Sequence, residues 1–129
     1  MTMMQKHKSV LIVDDDEMIR LLAEKMVKRL GYNVCGICAD VDEAMTCINK
    51  FGARVDLVFT DVIMPGSTGV DFVRIIYSVY PGMKFLLSSG QHNGELDKIT
   101  VDQKRIFFLQ KPYGYEEIRA LMEKIFSSN

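Results

Sequence analysis

The sequence predicts an α/β doubly wound fold, a five-stranded parallel sheet with helices on both faces. Five short runs, Ser9–Val13, Asn33–Ile37, Leu57–Thr60, Lys84–Ser88 and Ile106–Leu109, are continuous in Val, Ile, Leu and Phe rather than alternating with polar residues. Such runs belong to strands covered on both faces. Stretches with helical apolar spacing separate them, and a chain that alternates β and α segments through right-handed crossovers builds a parallel sheet.

The helices follow in order. Glu17–Leu30 puts Ile19, Leu22, Ala23, Met26 and Leu30 on one stripe and stops at Gly31, a residue suited to a helix C-cap. Asp42–Asn49 carries Ala44, Met45 and Ile48 and stops near Gly52. Val70–Tyr80 carries Phe72, Val73, Ile76 and Val79 and stops at Pro81-Gly82, and Tyr115–Phe126 carries Ile118, Leu121, Met122 and Ile125. A crossover helix is also needed over Glu95–Lys104, but its apolar residues are only Leu96, Ile99 and Val101, with Gly90 and Gly94 before them. That element is expected to be short or mobile.

The chain has 129 residues, 48% hydrophobic and 26% charged, the size and balance of one domain. A net charge of −1 gives no field for holding nucleic acid or an anionic membrane, and Lys6-His7-Lys8 is too short for a basic arm. No direct nucleic-acid contact is expected. No charged-then-apolar leader opens the sequence, and no apolar stretch reaches the roughly 18 residues of a membrane span, so membrane insertion is not expected either. Cys35, Cys38 and Cys47 are odd in number. Cys35-Gly-Ile-Cys38 has a C-x-x-C form, but zinc would need more ligands than His7 and His92 offer at their spacings. Reduced thiols packed in or near the core are expected, which suits a cytoplasmic protein.

Function concentrates where apolar runs stop. Asp14 and Asp15 follow VLIV, Asp61 follows LVF-Thr60, and Lys111 follows IFFL-Gln110. Doubly wound sheets bind ligands outside the carboxyl ends of their strands, so these residues and Ser89 fall on one rim. Carboxylates crowded there would repel by about 4 kcal/mol per close pair at an effective dielectric of about 20. A divalent cation and Lys111 would relieve that. Asp15 and Asp61 are the candidate Mg²⁺ ligands, with Asp14 holding a metal-bound water and the Ile63 carbonyl turned to the metal by a tight loop at Pro65 and its neighbouring glycines. Asp61 is the candidate nucleophile toward phosphorus. Ser89 and Lys111 would bind the phosphoryl oxygens, while Asp16 and Glu17 suit the positive N-terminus of the first helix.

Asp14-Asp15, Asp61 with Met64-Pro65 and Gly69, Ser89-Gly90, and Lys111-Pro112 stand in the order found in the receiver domains of bacterial response regulators, which the chain resembles from about Lys8 to Phe126. The resemblance implies a flavodoxin-like (βα)5 fold with strand order 2-1-3-4-5. It also implies Mg²⁺ held by Asp15, Asp61 and the Ile63 carbonyl with help from Asp14, and phosphate transfer to Asp61 from a histidine kinase or histidine phosphotransfer protein. A cis Lys111–Pro112 bond is implied as well. Ser89 and Phe108 stand at the family's switch positions. Ser replaces the commoner Thr at 89, and Phe108 offers no hydroxyl, so its switching rests on packing. The face built from Glu95–Lys104, the fifth strand and the last helix would contact a downstream effector and allows a phosphorylation-dependent homodimer. Phe-Leu-Gln-Lys-Pro-Tyr and Ser-Gly are similar to receivers of hybrid histidine kinases. Catalysis of any reaction beyond its own phosphorylation and dephosphorylation is not expected.

Three other readings have discriminating features. A haloacid-dehalogenase-like phosphatase shares the D-x-D opening but needs paired acids at a later strand end. A flavin-binding protein needs a Ser/Thr/Gly phosphate loop where this chain has aspartates. A docking module without phosphorylation would not need the full set of chemical residues.

Overall fold

The structure, a computed structural model, describes residues 8–64, 67–90 and 104–127. Strands β1 (Ser9–Val13), β2 (Asn33–Cys38), β3 (Leu57–Asp61), β6 (Lys84–Ser89) and β7 (Ile106–Gln110) form one parallel sheet in the order β2-β1-β3-β6-β7. Counting only these strands, the order is 2-1-3-4-5, as expected. Helices α1 (Glu17–Arg29), α2 (Val41–Phe51), α3 (Gly69–Val79) and α4 (Tyr115–Ser127) account for the four described helical stretches, each within two residues of its expected ends. The expected Glu95–Lys104 helix falls on residues 95–103, outside the described residues, with only Lys104 within them.

The apolar runs are continuous because the sheet has a core on each face. On one side Val10, Ile12, Leu57, Phe59 and Leu86 pack with Ala23 and Val27 of α1 and Ile118, Met122 and Ile125 of α4. On the other, Leu11, Val13, Val58, Phe85 and Leu87 pack with Ala44 and Ile48 of α2 and Phe72, Val73 and Ile76 of α3. Each such fully buried Leu, Ile or Phe stabilises the fold by about 1.5–3 kcal/mol relative to exposure.

Local chemistry sets the helix ends. Asp16 caps α1 by accepting from the Met18 and Ile19 N–H groups, which confirms the helix-start reading of that acid. Asp40 caps α2 by accepting from Glu43 N–H, while Glu43 Oε1 accepts from Ala39 N–H, a reciprocal box. Gly31 (φ 98°) and Gly52 (φ 55°) end α1 and α2 in conformations that disfavour a Cβ. After Gly52 the chain makes a 3-10 turn to Arg54 before entering β3.

The connection after β3 adds a feature to the loop expected there: β4 (Ile63–Met64) and β5 (Ser67–Thr68) pair antiparallel, Ile63 with Thr68 and Met64 with Ser67. Pro65 and Gly66 between them lie outside the described residues. Backbone pairing so soon after Asp61 is a tertiary device that side-chain patterning over two residues cannot signal.

Candidate functional site

Side-chain alternation carries the α1/α4 face upward from Ile12 to Asp14 and from Phe59 to Asp61. Four strands run one residue further than expected, β2 to Cys38, β3 to Asp61, β6 to Ser89 and β7 to Gln110, because those backbones still join the ladder.

Asp14 is 3% exposed and Asp61 8%, whereas Asp15 is exposed. One carboxylate oxygen from each of the three lies within 4.8 Å of the others. Lys111 Nζ donates to Asp14 Oδ2 at 2.8 Å and stands 3.3 Å from Asp61 Oδ2. The Lys111 N–H donates to the Ser89 carbonyl at 2.8 Å, which ties the lysine to the end of β6. The Lys111–Pro112 bond is cis, as expected. Asp14 Oδ1 accepts from Asp16 N–H at 2.9 Å, and Asp61 Oδ1 accepts from Ile63 N–H at 3.3 Å.

The charges do not balance. Burial raises the Asp61 carboxyl above the ordinary value of 3.8; the Lys111 charge opposes this, and Asp14 reinforces it. Burial pulls the Lys111 ammonium down, but its hydrogen bond to Asp14 and the charges of both acids outweigh that and leave it above the usual lysine value. One ammonium is therefore shared by two buried acids, with a third acid beside them. Hard oxygen donors in negative excess fit a hard divalent cation such as Mg²⁺, the group that the sequence implies.

Sequence reading named Asp14, Asp15, Asp61, Ile63, Ser89 and Lys111, and the structure gathers them at one end of the sheet. Ser89 is 4% exposed, so it lies within the rim rather than on an open loop. Phe108 is 37% exposed on the edge strand β7. Three contributors were not anticipated. Arg20 donates to the Asp14 carbonyl at 2.7 Å, fixing the turn that carries Asp14 and Asp15. The Tyr113 ring packs tilted against Phe59, centroids 5.7 Å apart, and lines a small pocket with Asp14; burial pushes its phenol up, and Asp14 and Asp61 add to that. Ser88 lines the same pocket. A strand-alternation count from Phe59 and Leu86 would have found Ser88; Arg20 and Tyr113 left no sequence signal.

The C-x-x-C segment lies along β2, with Cys35, Cys38 and Cys47 all free thiols. Cys38 Sγ lies 3.7 Å from Cys47 Sγ, and the acidic cluster found among the described residues contains only the three aspartates. Later strand ends carry Ser89 and Lys111 where a haloacid-dehalogenase-like phosphatase would place paired acids. No described helix is long and apolar enough to cross a membrane.

A family model described as the response regulator receiver domain matches residues 10–123. The chemotaxis protein CheY of Thermotoga maritima is 28% identical over 120 residues, covering 92% of this chain and 97% of that protein. The sensor kinase CckA of Brucella abortus is 26% identical over 117 residues, 91% of this chain. This chain spans 12% of the length of that CckA and 24% of the length of the transcriptional regulator NtrC of Azospirillum brasilense. Among solved structures, CheY4 of Vibrio cholerae superposes with a TM-score of 0.79 at 28% identity, over 92% of this chain and 98% of that one. The receiver domain of the hybrid histidine kinase CckA superposes at 0.74 with 24% identity, over 91% and 97%, a likeness of fold. With its acid cluster at the strand ends of a 2-1-3-4-5 sheet, the chain belongs to the response regulator receiver domain family.

Proposed function

We propose that this chain is the phosphoacceptor of a two-component phosphorelay, with Asp61 as the acceptor. An Asp61 carboxylate oxygen attacks phosphorus, the P–N bond to a donor imidazole breaks, and its electron pair returns to nitrogen. The product is an acyl phosphate. A bound Mg²⁺ would neutralise charge on the transferring oxygens and would be held by Asp15, Asp61 and the Ile63 carbonyl, with Asp14 holding one of its waters. Lys111 pairs with the phosphoryl group, Ser89 donates to it, and Ile63 N–H orients the Asp61 carboxylate. Catalysis beyond the chain's own phosphorylation and dephosphorylation is not part of this reading.

The observation that carries it is the single ammonium shared by two buried acids beside a third, a negative excess that a divalent cation would offset, leaving Lys111 and the cation to face an incoming phosphoryl group. Met18, Leu21 and Leu22 of α1, at 68, 47 and 48% exposure, give a histidine kinase or phosphotransfer protein an apolar landing next to the pocket. Drawing Ser89 and Lys111 toward the new phosphoryl group would shift β7 and repack Phe108, changing the surface offered to an effector domain or a second copy. A cytoplasmic location agrees with the free thiols.

Incubation with acetyl phosphate and Mg²⁺ tests it, read by intact mass. One phosphoryl group per chain is expected on the wild type and none on Asp61→Ala. Full labelling of Asp61→Ala would overturn the assignment.

A further inference from the structure

β6 ends in two consecutive serines, which alternation sends to opposite faces. Leu86 packs on the α1/α4 side with Ile12 and Phe59, whereas Leu87 packs on the α2/α3 side. Ser88 therefore continues the face that carries Asp14 and Asp61. The β3–β6 ladder sets Ser88 directly beside Asp61, and Ser88 lines a small pocket with Asp14, Phe59 and Tyr113.

Ser88 is 1% exposed, and among the described residues its hydroxyl has no hydrogen-bond partner. A buried hydroxyl left unbonded is costly and uncommon. The pocket is too tight to admit a water that could satisfy it. A carboxylate has about four acceptor sites, so the Asp61 carboxylate, set beside Ser88 by the ladder, keeps lone pairs for a further donor. Rotation about one torsion between staggered wells changes where the serine oxygen points.

We propose that Ser88 is a positioning residue that shortens the life of the phosphorylated state, an inference that rests on Asp61 being the acceptor. In hydrolysis a water oxygen bonds to phosphorus, and the bond between phosphorus and the Asp61 oxygen breaks. Its electron pair stays on the carboxylate, and the water proton leaves with the phosphate. Negative charge grows on Asp61 during this step, and a hydroxyl aimed at it stabilises the departing carboxylate more than the acyl phosphate.

The test is the decay rate of the phosphorylated chain after acetyl phosphate is removed. Ser88→Ala is expected to decay about tenfold more slowly, the difference between a charge-assisted and a neutral hydrogen bond. Ser88→Thr keeps the hydroxyl and should restore a rate near wild type, and Ser88→Ala should melt at or above the wild-type temperature. Decay of Ser88→Ala at the wild-type rate overturns the role of Ser88 alone, as does a lower melting temperature with unchanged decay. Failure of the wild type to label overturns the acceptor reading and this inference together.

Discussion

Lys111 and Asp14 are 97 residues apart and follow strands with two others between them, yet Lys111 Nζ stands 2.8 Å from Asp14 Oδ2. The lysine reaches over the ends of β6 and β3, passing Asp61 at 3.3 Å. It joins strands on either side of the pocket into one electrostatic unit.

Removing it separates two roles. Lys111→Ala keeps the nucleophile and the three carboxylates, so it is expected to accept a phosphoryl group from acetyl phosphate and Mg²⁺. It lacks the ammonium that would pull on β7, so ¹H–¹⁵N NMR shifts of β7 and α4 should stay near their unphosphorylated positions. The two acids lose their partner, which should cost about 1–2 kcal/mol of stability at neutral pH, reduced from a fully buried pair by solvent screening. Phosphorylation-induced shifts of wild-type size in the variant would contradict this division.

Asp61 gives a pH dependence of definite sign. Its folded carboxyl titrates above the ordinary 3.8 because burial and Asp14 outweigh Lys111. The protonated form therefore favours folding: that contribution is full below the ordinary value and is lost as pH rises through the folded value. Asp61→Asn lacks this loss. In EDTA, urea denaturation should show Asp61→Asn more stable than wild type at neutral pH, with the gap closing in acid. Added Mg²⁺ should stabilise the wild type more than the variant. A gap that widens in acid would refute the sign.

The capping box at α2 is expected to act locally. Asp40→Ala removes the acceptor for Glu43 N–H and loosens the return bond from Ala39 N–H to Glu43. Thermal melts should show a loss of about 1 kcal/mol, with labelling of Asp61 unchanged.

Gly36 marks a tight contact in the sheet. The β1–β2 register slips between Val10 and Leu11, which brings Gly36 opposite Leu11. A Cβ at Gly36 would lie 2.8 Å from Leu11 Cδ1 and 2.9 Å from Cys47 Sγ. Leu11 is fully buried and cannot retreat, so Gly36→Ala should destabilise by about 1–3 kcal/mol. Adding Cys47→Ala should recover part of that, a coupling that a double-mutant cycle in urea measures.

Sequence alone determined the alternation of strands and helices, because buried parallel strands need unbroken apolar runs and each helix needs a stripe. It also determined which chemical groups end the strands, since an acid that interrupts VLIV or LVF-Thr60 needs an ionic reason to be there. Only the tertiary structure decided how the charges share partners. The bond from Lys111 to Asp14, the reach of Arg20 to a carbonyl and the β4–β5 pairing all depend on segments meeting in space, which no local period encodes. The same holds for Ser88 and Ser89: their chemistry is identical in the chain, and strand pairing decides which hydroxyl stands beside Asp61.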